Sequence, residues 1–416
     1  MLLGLVGKPS VGKSTFFKAA TLADVEIASY PFTTIKANHG VGYVKVDCID
    51  KEFNTQCMPN HGFCINHQRF VPVDLMDVAG LVPGASEGKG LGNQFLDELR
   101  QADVFIYLID ASGTTDENGK LTKDYDPCRD IEFLDDELDK WYFNLLGKVW
   151  RTFARKTEIE DLNFAEAVAK QFSGLKVKED DVKDVLRKIG FSGKPSLWNE
   201  KQIMQFASML RKTSKPMIIA ANKCDMENAK ENIEKMKKKF PDYIIIPCSA
   251  DSELALREAS KHGLIEYIPG ERDFAPNQVP SRSERGLREG VPSGEGKINE
   301  SKINQKQQEA LDKIKKNVLD IFGDTGVQKI LNTAVFEILG YLAIFPAGAH
   351  KLADSKGNIL PDCFLLPPGS TALDFAFFLH TDFGKNFIKA IDARSKKALG
   401  KDYKLKNRDA LEIVTR

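Results

Sequence analysis

The chain has 416 residues, more than one typical core accommodates, so two or three domains are expected. Lysine plus arginine equals aspartate plus glutamate at 59 each, which argues against a polyanion-binding field over the whole surface and leaves only local patches. The seven scattered cysteines are odd in number in a chain that needs no staples, so reduced thiols of a soluble cytoplasmic protein are expected; no run approaches the roughly 18 apolar residues of a membrane span.

The first element is the apolar run LLGLV at 2–6, read as a buried parallel strand, and the second is a helix over STFFKAA at 14–20. Between them lies GKPSVGKST, 7–15. Glycines let a loop wrap backbone N–H groups around an anion, and the helix that follows adds its positive dipole end. The spacing Gly7, Gly12, Lys13, Ser14 is that of a phosphate loop, with Lys13 directed at the β- and γ-phosphates and the Ser14 hydroxyl at Mg²⁺.

YPFTTI follows at 30–35, where a threonine hydroxyl could complete a Mg²⁺ shell. CMPNHGFCINH contains Cys57, His61, Cys64 and His67 at spacings that a zinc hairpin or a plain pair of loop thiols explains equally. The run 70–76 is the next strand, and DVAG at 77–80 caps it: a carboxylate at a strand end can hold Mg²⁺ and a glycine N–H can touch a γ-phosphate. Glycines at 84, 88, 90 and 92 suit a segment that orders with the nucleotide.

A third strand is expected at 104–109. The rhythm then becomes helical, with Leu134, Leu138, Trp141, Leu145 and Val149 stepping by three or four, so an antiparallel helical insertion is expected over about 115–212. Strands return at 217–221 and 243–247. The first is followed by NKCD, 222–225, whose Asp225 can accept from N1–H and the N2 amino group of guanine, a donor pair that adenine lacks. The second is followed by CSA, 248–250, whose backbone could reach guanine O6. These near-continuous β-rich runs are strands buried on both faces, hence an α/β fold with a mostly parallel sheet and its ligand beyond the carboxyl ends. The polar stretch 281–297 reads as a linker, and a helix with Ala310, Ile314, Val318 and Ile321 inward follows it. A small α+β unit with strands near 364–366 and 411–415 closes the chain.

With these motifs in order, the chain resembles the translation-factor-class GTPases of the Obg superfamily, in their YchF-like branch. YPFTT and DVAGLVPGASEGKGLGNQFLDELRQAD (77–103) carry the likeness, which continues to LPPGSTALDFAFFLHTDFGKNF (366–387), the mark of a TGS domain, a β-grasp unit. The resemblance implies an Obg-type G domain over 1–114 and 213–280, the helical insertion over 115–212, a linker and helix over 281–339 and the TGS domain over 340–416. It implies GTP or GDP with Mg²⁺ as cofactors, and a ribosome or RNA as partner. Gly7, Lys8, Pro9, Ser10, Val11, Gly12, Lys13, Ser14 and Thr15 would surround the phosphates, and Asn222, Lys223, Asp225, Ser249 and Ala250 the base. Ser14, Thr34 and Asp77 would serve the metal, and Lys13, Thr34 and Gly80 the reaction.

Two departures bear on activity. Relatives that prefer ATP carry a base motif ending in Glu, whereas AsnLysCysAsp is intact here, so guanine is expected. Potassium-activated relatives carry Asn where this chain has Ser10, which argues against potassium activation. Leu81 stands where Ras-like enzymes hold the water-orienting glutamine, so hydrolysis is expected to be slow unless a partner, the backbone or Glu87 supplies that group. An ATPase of the same fold and a nucleotide-stabilised scaffold are the alternatives. Arg394, Lys396, Lys397, Lys401, Lys404, Lys406 and Arg408 form a basic cluster that reads either as an RNA-facing surface or as a solvated face.

Overall fold

The computed structural model describes residues 1–21, 39–78, 98, 100–277, 303–349, 351–354 and 356–416. In chain order, β1 (Leu2–Val6), α1 (Lys13–Thr21), β2 (His39–Asp47), β3 (Phe63–Ile65), β4 (Gln68–Asp77) and β5 (Val104–Asp110) lead into a run of helices. These are α2 (Cys128–Gly147), α3 (Trp150–Ile159), α4 (Phe164–Gln171), α5 (Glu179–Ile189) and α6 (Glu200–Ser214). Then come β6 (Met217–Asn222), α7 (Ala229–Lys239), β7 (Ile244–Pro247), α8 (Ala250–Lys261) and the short pair β8 (Ile265–Tyr267) and β9 (Phe274–Pro276).

The main sheet runs β2-β4-β1-β5-β6-β7, with β3 on β4. Its β4-β1-β5-β6-β7 part is parallel, while β2 and β3 join β4 antiparallel. The parallel strands are those expected from the sequence. β2 and β3 are additions: HGVGYVKVD carries two glycines and few apolar residues because it serves an antiparallel outer strand, which needs no continuous apolar run.

Side chains alternate along each strand, and the two faces of β5 show it. Val104, Ile106 and Leu108 pack with Leu3, Leu5, Phe16 and Ile218 on the α1 face. Phe105, Tyr107 and Ile109 pack with Trp141, Tyr142, Phe206 and Ile219 on the face covered by α2 and α6. Both faces are dry, which is why the run VFIYLID has no polar residue before its last position. At the centre of the helical layer Trp150 stacks on Trp198 at 5.4 Å between centroids, with Phe206 at the same distance.

The ladder register brings the carboxyl ends together. Leu5 pairs with Asp77 and with Ile106, and Asp110 pairs with Asn222. Asp77, Asp110 and Asn222 therefore stand on one rim of the sheet, where the loop after β1 also opens.

Beyond the sheet, α9 (Gln305–Ile314) continues through a wide turn at Lys315–Leu319 into Asp320–Phe322. Leu311, Val318 and Leu319 are buried, and Ala310 and Ile321 are exposed. Val318 is buried and Ile314 packs inward as expected, Leu311 stands in place of Ala310, and Ile321, beyond the π-type turn that adds a residue to the repeat, is rotated outward. α10 (Val327–Asn332) also ends in a wide turn, Thr333–Ile338. A second sheet then forms from β10 (Leu342–Pro346), β11 (Phe364–Leu366), β12 (Phe387–Asp392), β13 (Ala398–Leu399) and β14 (Ala410–Thr415), in the order β11-β10-β14-β12-β13. α11 (Ala372–Leu379) is capped by Thr371, whose hydroxyl accepts from the Asp374 N–H while Asp374 reaches back, as the SerThr pair predicts. α12 (Thr381–Lys385) follows it. Among the described residues no helix is long and apolar enough to cross a membrane.

Candidate functional site

The loop from Gly7 to Gly12 leaves β1 and enters α1 through two left-handed residues, Ser10 at φ 66° and Gly12 at φ 92°. Gly12 has a second reason to lack a side chain: a Cβ there would lie 2.4 Å from Asn222 Nδ2. That close approach is used. Asn222 Nδ2 donates to the Val11 carbonyl at 2.7 Å, and its Oδ1 accepts from the Ala250 N–H at 3.0 Å. One buried amide therefore ties the phosphate loop to the start of α8.

At the mouth of the loop, Lys13 Nζ lies 2.8 Å from Asp77 Oδ1 and Ser14 Oγ lies 3.4 Å from Asp77 Oδ2. A cation, a hydroxyl and a carboxylate converge at the end of β4, beside the first turn of a helix. Pro9 and Ser10 form the exposed tip, and Thr15 is half-buried just inside α1.

Lys8 departs from the expected phosphate set in its side chain. Its ammonium is buried, 2.9 Å from both Asp130 Oδ2 and the Thr115 carbonyl, and sits over the Tyr125 ring. Burial raises the Asp130 carboxyl above the usual carboxylate range in spite of this partner. Lys8 therefore fastens the loop to the segment before α2, and only its backbone faces the loop interior.

Asp110 is a position at the rim of the site that the sequence reading passed over. Its buried carboxylate accepts from Ser112, Thr114 and Thr115 hydroxyls and from Lys223 Nζ at 2.8 Å. Burial opposes the charge, yet the Lys223 ammonium and the hydroxyls hold the Asp110 carboxyl below its ordinary value. Lys223 takes a left-handed backbone, φ 62°, to make that reach. The signal was present in the sequence, a carboxylate closing an apolar strand run.

The expected base-binding residues do gather at the ends of β6 and β7, with their donors already engaged. Ser249 N donates to the Thr325 carbonyl, and Ala250 N to Asn222. The backbone path to guanine O6 expected at Ser249 and Ala250 is thus spent within the protein in this conformation, because helix α8 starts here and its first N–H groups need acceptors. Asp225, half-buried, has no hydrogen bond to any described residue. Thr34, Gly80, Leu81, Glu87 and the glycines at 84, 88, 90 and 92 lie outside the described residues, as does the stretch 281–297.

The basic cluster is divided. Arg394 and Arg408 both pair with Glu52, Lys396 donates to the Ala349 and Ala393 carbonyls, and Lys404 to that of Gly369. Lys397, Lys401 and Lys406 are exposed and unpaired among the described residues.

Three family descriptions match the chain: a 50S ribosome-binding GTPase over residues 2–138, the G4-motif domain of the YGR210-like Obg-like GTPases over 220–348, and a TGS domain over 355–415. An uncharacterized GTP-binding protein of Methanocaldococcus jannaschii is 46% identical over 100% of this chain and 99% of its own length. The protein named ribosome-binding ATPase YchF in Bacillus subtilis is 32% identical over 62% of this chain and 68% of its own. The crystal structure of a GTP binding protein from Pyrococcus horikoshii OT3 superposes with a TM-score of 0.75 at 37% identity, covering 100% of both chains.

Proposed function

The chain belongs to the Obg-like, YchF-related family of GTP-binding P-loop proteins with a C-terminal TGS domain, and from that premise we propose that it hydrolyses GTP as a Mg²⁺-dependent switch that engages the ribosome in the cytoplasm. The observation that carries this reading is the convergence of Lys13 and Ser14 on Asp77 at the mouth of the phosphate loop. The Ser14 hydroxyl and Asp77 carboxylate are hard oxygen donors, which fit Mg²⁺, and Thr34 is the third residue assigned to it. Bound there with the nucleotide, the metal would neutralise charge developing on the phosphates.

Within this reading Lys13 exchanges Asp77 for the β- and γ-phosphates and stabilises the leaving charge. Gly80 offers its N–H to the γ-phosphate, and Thr34 reports whether that phosphate is present. Leu81 cannot orient a water molecule, so turnover is slow until a partner supplies the missing group. Asp225 selects guanine through an acceptor that no described residue takes.

ATP is the second reading. It is favoured by the engagement of Ser249 and Ala250 N–H groups within the protein, and the Bacillus subtilis relative is named an ATPase. The test measures GTP and ATP binding and phosphate release on the full chain, with and without Mg²⁺ and ribosomes, beside Lys13→Ala. Guanine-selective binding with ribosome-stimulated release, lost in the variant, is expected. ATP preference would overturn the guanine assignment, and tight binding without release under any condition would leave a scaffold.

A further inference from the structure

Far from the phosphate loop, at the outer edge of the main sheet, four metal-binding side chains from three segments meet. Cys48 follows β2, Asp50 lies in the short helical turn Ile49–Phe53, Cys57 is in the loop after it, and Cys64 is on β3. Their Sγ and carboxylate atoms all lie within 4.8 Å of one another. Cys48, Asp50 and Cys57 are buried and Cys64 is half-buried. The set differs from the spacing read in the sequence. Cys57 and Cys64 belong to it, His61 is not among its members, and Cys48 and Asp50 join from upstream.

Two of the separations are close to the edge of a coordination tetrahedron. Cys48 Sγ and Cys57 Sγ are 3.6 Å apart. A disulfide would need about 2.0 Å. Two thiolates on one tetrahedral zinc ion, each at about 2.3 Å, stand about 3.8 Å apart. Cys64 Sγ is 3.9 Å from Asp50 Oδ2, and the other oxygen of Asp50 is fixed by His67 Nδ1 at 2.9 Å. A ligating carboxylate is itself held by hydrogen bonds from outside the site, and here an imidazole supplies one. The hairpin turn supplies that imidazole, since Asn66 and His67 both take positive φ and turn β3 into β4.

The charge surroundings also fit. Three thiolates and a carboxylate on a divalent ion carry two net negative charges, which a dry site must offset. Arg69 is fully buried and has no carboxylate partner among the described residues. Its Nη1 lies 3.6 Å from Cys57 Sγ, and its remaining contacts are the Leu360 and Pro361 carbonyls. A buried guanidinium aimed at a sulfur has an electrostatic purpose if that sulfur is an anion.

We propose that Cys48, Asp50, Cys57 and Cys64 bind one structural zinc ion. The site cross-links the ends of β2 and β3 and stiffens the surface on which the C-terminal unit is seated. That surface is the one where Met58 N and Asn60 N donate to the Ile359 and Pro361 carbonyls. Thiolate-rich tetrahedral sites select zinc over magnesium or calcium, so this ion is independent of the nucleotide.

Metal analysis of the full chain, purified without added metal, is the first arm, and about one zinc ion per chain is expected. The second arm titrates the reduced, demetallated chain with Co²⁺, where a sulfur-to-cobalt charge-transfer band with strong visible d–d absorption is expected. Cys57→Ser and Cys64→Ser should abolish both signals, and Cys128→Ser, at the start of α2, should keep them. His67→Ala should weaken zinc binding by about 10–100-fold without removing the band. Absence of zinc together with absence of the cobalt band in the wild-type chain would overturn the proposal without recourse to any variant. Zinc retained by folded Cys57→Ser and Cys64→Ser would overturn it equally.

Discussion

Asn222 and Val11 are separated by 211 positions and joined by a buried hydrogen bond of 2.7 Å. The amide that the proposed reading sets beside the base is, in this fold, the clamp that shapes the phosphate loop. Asn222→Ala leaves the Val11 carbonyl and the Ala250 N–H without partners, each costing about 1–3 kcal/mol. Urea unfolding without nucleotide should show the loss, and GTP affinity should fall with it. Equal stability of variant and wild type would mean that the clamp is idle.

In the proposed reading, base choice rests on Asp225. Asp225→Asn turns one acceptor into a donor facing the guanine N1–H and N2 groups, so the preference for GTP over ATP should shrink by about 1–3 kcal/mol, on the order of tenfold to a hundredfold. Competition binding with both nucleotides reads this directly, and an unchanged ratio would remove Asp225 from the base site.

Lys215 gives a pH signature separate from the nucleotide. Its buried ammonium donates to the Arg100 and Ala102 carbonyls, and burial lowers its pKa from 10.5 to about 8. Between those two values the unfolded chain binds the proton that the folded chain has released, so this group's contribution to stability rises with pH across that window. Lys215→Met removes the term. The stability difference between wild type and variant should move in favour of the wild type from pH 7.5 to pH 10, and a difference flat across that range would contradict the assignment.

Trp150→Ala tests the helical layer. The side chain is 1% exposed and touches the rings of Phe153, Phe164, Trp198 and Phe206. A loss of about 3–5 kcal/mol is expected in chemical unfolding. A loss under about 1 kcal/mol would mean that neighbouring rings collapse into the space.

The strands of the parallel sheet and the phosphate loop were legible because their causes are local. A strand buried on both faces must be apolar throughout, and a loop around phosphate must have glycines at fixed offsets. Residues whose role depends on distant partners were not legible. Lys8 sits inside the phosphate motif, yet its side chain answers to Asp130. Cys48 and Asp50 lie outside the CMPNHGFCINH spacing and meet it only through the β3–β4 hairpin. The basic run near the C-terminus was read as an RNA-facing surface or a solvated face, while Arg394 and Arg408 close on Glu52 and Lys396 and Lys404 on backbone carbonyls. Ile321 was expected inward and is exposed because the π-type turn before it changes the repeat on which periodicity reasoning depends.

β5 and β6 are neighbours in the sheet, and the helical layer occupies the chain between them. The chain leaves at Asp110 and comes back to the adjacent strand, and the Asp110–Lys223 ion pair shuts the gap at the rim. Closing a loop of twice the length adds only about 0.6 kcal/mol of entropy cost. The connections between α3, α4 and α5 are therefore where chain length can change at little cost, while Trp150, Val168 and Val185 hold those helices in one core with α2 and α6.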